Sequence, residues 1–324
     1  MANRPHHRTI FGIHIETTIN GIPSLPNGVP DLPDAHEEER WRSIAKLLHD
    51  HLVDGHIPNH ITLVEDTKDE RYQEWCITQN KTIPTQDDPS RLAVELMSPT
   101  IAYDAAHTPG WGWASIVRFL YSILDKEPFA ARPTSTCALQ VSVALDTFLD
   151  TEIARNIAEA ILIYKPQFEA LAAGVGESVV ANTLRIGDNE NPSPEEIRQY
   201  LGSLDTMEQI AEALCPREGG RNYFWDLWPL AGLDAQEQSS GSRVVSVKRR
   251  GTVVFRVPYG LEEGESLPFM WIDFANLFVL AATEPVPYYD VPKQLCCFIE
   301  CASGPFRIPP SELARLLQRL EPLG

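Results

Sequence analysis

Basic residues are scarce in this sequence. Lys and Arg number 27 against 45 Asp and Glu, a formal charge of −18 at pH 7. Such a surface repels a phosphate backbone or an anionic bilayer, so neither nucleic acid nor a membrane is expected as the main partner. A membrane-length apolar run is also missing: the longest, Leu267 to Ala282, is cut by Asp273 and Asn276. The opening residues, MANRPHHRTI, lack the apolar stretch of a secretory signal, which points to the cytoplasm. The six cysteines show no CxxC spacing: Cys76, Cys137 and Cys215 stand alone, and Cys296, Cys297 and Cys301 cluster with two of them adjacent. Adjacent thiols suit a zinc tetrahedron poorly, so buried free thiols are expected. Internal repeats and low-complexity tracts are absent too.

What is present is a globular composition. Hydrophobic residues make up 43% of the 324, enough to fill a core and exclude wholesale disorder. The chain reads as a single domain, 1–324. Gly21 to Asp34 (GIPSLPNGVPDLPD) holds four prolines and reads as a long ordered loop. Gly187 to Ser193 and Asp234 to Ser242 read as surface connections.

Helical spacing recurs in seven segments. Asp34 is placed to cap a helix with Glu37, Glu38 and Glu39 in its first turn; Trp41, Ile44, Leu47, Leu48 and Leu52 recur at helical spacing, and Gly55 stops it. A second helix runs through Trp113, Ile116, Val117, Leu120 and Leu124. A third follows Asp150 and is ended or kinked by Pro166. Ser193-Pro194-Glu195-Glu196 is a capping box, Asp205 with Glu208 makes another acidic start, Ser266-Leu267-Pro268 opens an apolar helix, and a last helix follows Pro310. Strands are expected near 9–16, 61–65, 92–97, 136–144, 244–249, 251–257 and 295–301. Strict βαβ alternation is absent, which predicts an α+β fold: a mainly antiparallel sheet with helices on one face.

Strand residues alternate between faces. Phe11, Ile13 and Ile15 oppose Gly12, His14 and Glu16. Leu92, Val94 and Leu96 oppose Ala93, Glu95 and Met97. Cys137, Leu139, Val141 and Val143 oppose Ala138, Gln140, Ser142 and Ala144. Val253, Phe255 and Val257 oppose Thr252, Val254 and Arg256. If the four strands are neighbours, their polar faces gather His14, Glu16, Glu95, Gln140, Ser142 and Arg256 in one cleft. Charges are depleted on strands, so the set needs a reason. By pattern alone it fits a solvated face with a Glu95–Arg256 salt bridge, or a functional site. On the same face logic Cys137 is expected in the core, out of reach of a catalytic partner. His49, His51, His56 and His60 fall at a helix end and in a loop, as surface histidines do.

Four segments, FGIHIE (11–16), VELMSP (94–99), TSTCALQVSVAL (134–145) and GTVVFRVPYG (251–260), follow the order and spacing of a known family. With RNYFWDLWPL (221–230) and Trp271, the chain from about Thr9 to about Ala282 resembles the fungal and bacterial amidoligase-like proteins. These are related to glutamine synthetase and glutamate–cysteine ligase. The resemblance implies a curved antiparallel sheet with helices on its outer face, the glutamine-synthetase-like catalytic fold. It implies ATP-dependent amide-bond formation between a small-molecule carboxylate and an amine, with Mg²⁺ or Mn²⁺ on the phosphates, in an enzyme of the kind used in specialised metabolism. An oligomer is compatible with it. Glu16 and Glu95 would be metal ligands and Arg256 a phosphate grip, with Gln140 and Ser142 at the cofactor's place.

The sequence departs from the family's pattern in a concentrated way. His14 stands where the first Glu of ExE is usual, Gln140 and Ser142 where two histidines are, and Val254 where a Glu precedes the Arg. The metal set on Glu16 and Glu95 survives this mapping; the nucleotide-side set becomes His14, Gln140 and Val254. Losing about 4 kcal/mol of charge stabilisation there is roughly a thousandfold in rate. Three readings stay open. One is a working ligase with an altered site, in which His14 as a cation or the Lys248-Arg249-Arg250 triplet compensates. Another is an ATP-independent enzyme using the same cleft, with His14, which shares its face with Glu16, as the acid or base. The third is a pseudoenzyme that binds a ligand or a protein.

Overall fold

The computed structural model describes residues 8–20, 33–62, 74–81, 83–85, 88, 90–103, 112–132, 134, 137–146, 150–173, 182, 184, 186, 189, 192–217, 223–231, 251–258 and 267–283. The architecture is α+β. Among the described residues, strands β1 (Thr9–Asn20), β2 (Asn59–Ile61), β3 (Trp75–Gln79), β4 (Arg91–Met97), β5 (Ile101–Ala102), β6 (Ala138–Leu145), β7 (Trp225–Asp226) and β8 (Val253–Pro258) form one open sheet. Its order is β2-β3-β4-β1-β6-β8-β7, with β5 also on β1. Every pairing is antiparallel except β2 with β3. The four strands with polar faces are therefore consecutive: β4, β1, β6, β8.

β1 is central because its sequence suits both faces and both edges. Phe11, Ile13 and Ile15 are at most 1% exposed and enter the main core. Leu92, Val94, Leu96, Leu139, Val141, Val143, Val253, Phe255 and Val257 join them from the neighbouring strands. Beyond Glu16 the side chains of Thr17 and Thr18 are buried as well. Here Arg91 ties the strands to the following chain, donating to Thr18 Oγ1 (2.9 Å), Asn20 Oδ1 (2.8 Å) and the carbonyls of Thr18 and Ala130.

The helices are α1 (Pro33–Asp54), α2 (Trp113–Leu124), α3 (Thr151–Ile163), α4 (Lys165–Ala173), α5 (Pro194–Gly202), α6 (Met207–Leu214) and α7 (Leu267–Ala281). The α1 helix packs on β2 and β3, and α7 on β1, β6 and β8. Gly55 ends α1 where a Cβ would run into the Phe119 ring of α2, so a larger residue there would have to displace that ring. The α7 helix is buried nearly all round, as a central helix must be to be this apolar. Of its two polar residues, Asp273 accepts from the Tyr103 hydroxyl (3.0 Å), and Asn276 donates to the Ile272 carbonyl (2.8 Å) while its Oδ1 is buried without a partner. No described helix is long and apolar enough to cross a membrane.

Rings join the sheet edge to α7. Trp225 lies 4.5 Å from Phe255 and 4.7 Å from Phe278, and Phe274 lies 5.3 Å from Phe255. Such offset and tilted contacts add to the area they bury.

Local signals held at most helix ends. Asp150 caps α3, and Ser193 with Glu196 closes the capping box of α5. Pro166 falls in the first turn of α4, just after α3 ends. Two expectations change. The helix α6 is capped by Thr206 with Gln209 instead of Asp205 with Glu208, because the Thr206 hydroxyl reaches the Gln209 N–H and the Gln209 side chain reaches back. The α1 helix starts at Pro33, one residue before the expected cap. Strand β3 escaped detection; its alternation of buried Trp75 and Ile77 with Cys76 and Thr78 is only five residues long. The expected strands at 244–249 and 295–301, the Cys296–Cys301 cluster, the basic triplet, the 234–242 connection, the last helix and most of the Pro-rich loop lie outside the described residues.

Phe255 sits at the centre of this ring cluster, fully buried. Phe255→Ala should lower stability by about 3–5 kcal/mol in urea unfolding. Arg42→Ala, on the exposed face of α1, should stay within about 0.5 kcal/mol; equal shifts in the two variants would contradict this packing.

Candidate functional site

The register of the four central strands sets the site. One row across the sheet runs Met97, His14, Gln140, Arg256; the next places Glu95 directly opposite Glu16; a third runs Gly12, Ser142, Val254, Asp226. All six residues expected on the polar face are brought onto it. His14 and Glu95 are largely covered, their side chains 16% and 12% exposed, and Ser142 is buried.

Two diagonal contacts organise the centre. His14 Nδ1 lies 2.7 Å from Glu95 Oε1. A carboxylate only accepts, so Nδ1 carries the proton in that bond. Glu16 receives the backbone N–H of Ala138 (3.0 Å), the Gln140 amide (2.9 Å) and, at 3.4 Å, the Asn80 amide. Gln140 thus holds Glu16, and Asn80, just after the unforeseen strand β3, joins the site.

Two carboxylates directly opposite on paired strands repel. Burial raises Glu16 from 4.5 to about 7, and the Glu95 charge adds to this; Arg256, the Ala138 N–H and Gln140 pull the other way without prevailing. Glu16 therefore exchanges its proton near neutrality.

The proposed Glu95–Arg256 salt bridge does not form. Strands β1 and β6 stand between β4 and β8, so the two residues are three strand spacings apart, about 14 Å. Arg256 Nη1 instead donates to Asp226 Oδ2 at 3.1 Å. Asp226 Oδ1 accepts the Trp228 N–H (3.0 Å). Asp226 thus takes one edge of the Arg expected to grip phosphate.

Cys137 also departs from expectation. It is buried, yet packs with Ile83 and Ala93 in a small cluster apart from the main core. Ala93 shares the face of Glu95, so Cys137 lies toward the polar side. The alternation fails because β6 begins at Ala138, two residues later than expected, so Cys137 precedes the strand. Burial pushes its thiol up, which argues against a nucleophile on electrostatic grounds rather than by face. Of the four histidines read as surface residues, His60 lies in β2 with Nδ1 3.0 Å from Glu74, His49 meets the Asn59 side chain (2.7 Å), and His51 donates to the Leu47 carbonyl (2.9 Å). A cavity of about 360 Å³ between the end of α1 and α2, lined by His51, Asp54, Phe119, Lys126 and Phe129, contains none of the site residues.

The donor set does not fit a two-metal centre. Val254, where the resemblance implies a ligand, has no donor atom, Gln140 turns its amide N–H toward Glu16, and His14 is engaged by Glu95. Among the described residues no group of three or more His, Cys, Asp or Glu is arranged to hold a metal ion. No protein-family model matches the chain, and searches of curated proteins and of solved structures likewise return no match.

The raised Glu16 group links stability to pH. Its folded pKa lies above the unfolded one, so its contribution is fully present below about pH 4.5 and lost as pH rises through about 7. The loss is on the order of 3 kcal/mol. Urea midpoints should therefore fall between pH 5 and pH 8 in the wild type and change less in Glu16→Gln. In carbon-13 NMR titrations of the Glu16 carboxyl, Glu95→Gln should lower the midpoint and Arg256→Met should raise it. The same sign of shift in both would refute this account of the electrostatics.

Proposed function

We propose that this chain is an amidoligase-like small-molecule enzyme, built on a glutamine-synthetase-like sheet, whose polar face works by proton transfer where the family uses a nucleotide-side metal. The observation that carries the reading is the pairing of His14 with Glu95 at 2.7 Å beside Glu16, a carboxyl that titrates at about 7. A group with its pKa near the working pH serves as acid and base with equal ease. A carboxylate on one imidazole nitrogen fixes the tautomer and makes the other nitrogen more basic. Arg256, two strand spacings from His14, or about 10 Å, offers the positive end for a substrate carboxylate, and the acidic pair suits an amine. Glu16 would take the proton that such an amine loses on adding to the carbonyl of an ester or amide, and would return it to the alcohol or amine that departs as the old C–O or C–N bond breaks.

A second reading keeps the ancestral ligase. It draws on the in-register Glu16 and Glu95, whose mutual repulsion a single Mg²⁺ or Mn²⁺ would relieve once Glu16 is ionised. In that case ATP would be the co-substrate, with Arg256 on its phosphates.

Calorimetry separates the two. The protein is titrated with a non-hydrolysable ATP analogue with and without Mg²⁺ or Mn²⁺, alongside Glu16→Ala and Arg256→Ala. The proton-transfer reading expects no metal-dependent nucleotide binding. It also expects small amino acids and amines to bind with an affinity that changes around pH 7 in the wild type and not in Glu16→Gln. Metal-dependent nucleotide binding that both alanine variants abolish would replace it with the ligase reading.

A further inference from the structure

The Arg256–Asp226 pair leads to a second guanidinium that the site does not use. Asp226 holds the backbone of Trp228, and the Trp228 indole N–H donates to the Cys215 carbonyl at 2.7 Å, so both ends of this residue are pinned. Over its ring lies Arg217, with the guanidinium carbon 3.7 Å from the ring centroid. That stacking fixes the plane of the cation and desolvates one face of it.

The edge of this guanidinium carries the anomaly. Nε and Nη2 of Arg217 are buried and meet no hydrogen-bond acceptor. These two N–H groups point the same way and form the side-on fork that takes a carboxylate or phosphate in two parallel bonds. At two other described arginines the same fork is filled. Arg155 directs Nε and Nη2 at the Leu204 carbonyl, and Arg198 directs both at Glu159 Oε1. A buried donor pair without an acceptor is costly, and an ion is one of the few explanations that removes the cost.

We infer that Arg217, stacked on Trp228, is a binding site for an oxyanion, a carboxylate or a phosphoryl group, separate from the His14–Glu95–Glu16 centre. The chain's excess of acid makes a pre-oriented cation with an empty fork unusual on it. Arg217 is partly exposed as a residue, although its Nε and Nη2 are covered. The argument needs neither proton transfer nor a metal, so it stands apart from the proposed function.

The test uses the full chain with acetate and inorganic phosphate as probes, followed by thermal unfolding and calorimetry at ionic strength held constant with NaCl. The wild type should show saturable stabilisation by at least one of the two anions beyond that of chloride. Arg217→Met should abolish it. Arg217→Lys keeps the charge and loses the fork, and should weaken it at least tenfold. A response to acetate alone assigns a carboxylate, and to phosphate alone a phosphoryl group. Glu16→Gln should leave the anion response intact, which separates this site from the other. If the methionine variant does not fold, the lysine variant decides. No response beyond chloride in the wild type, or an unchanged response in Arg217→Lys, overturns the assignment.

Discussion

Everything in the candidate site depends on one strand being hydrogen-bonded on both edges and occupied on both faces. β1 pairs with β4 on one side and β6 on the other. Its inward residues Phe11, Ile13 and Ile15 are locked in the core, so a slip of one residue would drive His14 and Glu16 into that core. The apolar packing therefore fixes the position of the chemistry. His14 meets Glu95 on β4, and Glu16 meets Gln140 on β6, because register leaves those partners on the diagonals.

That rigidity explains how two facing carboxylates are tolerated. In water Glu16 and Glu95 would both ionise and separate. On paired strands they cannot move apart, so the molecule resolves the conflict through protons and donors. Glu95 takes the His14 N–H, while Glu16 is pushed toward neutrality despite three donors directed at it. A buried acid held in this balance is more often found where chemistry occurs than where only stability is needed.

The edge of the sheet follows a different logic. Trp225, Phe255 and Phe278 lock β7 and β8 to the central helix α7. From that anchored edge Asp226 reaches back to Arg256 and forward to the backbone of Trp228, on which Arg217 stacks. Aromatic packing thus positions two arginines, one engaged by an acid and the other with an unoccupied fork.

By itself the sequence determined the faces. Alternation at period two separates His14 and Glu16 from Phe11, Ile13 and Ile15, and the same holds for Glu95, Gln140 and Arg256, because side chains on a strand have no other choice. Helix ends were legible wherever a side chain caps its own backbone, as at Asp150 and Ser193. Strand order and ion pairing were not, since they depend on residues far apart in the chain. Glu95 and Arg256 share a face yet stand three strands apart, so each took a nearer partner. Cys137 fell on the unexpected side because the strand begins at Ala138, two residues later than expected, which leaves Cys137 just outside it. Neither the near-neutral Glu16 nor the empty fork of Arg217 was readable beforehand. Both arise from burial and from which donors and acceptors are left to meet, and only the folded chain decides that.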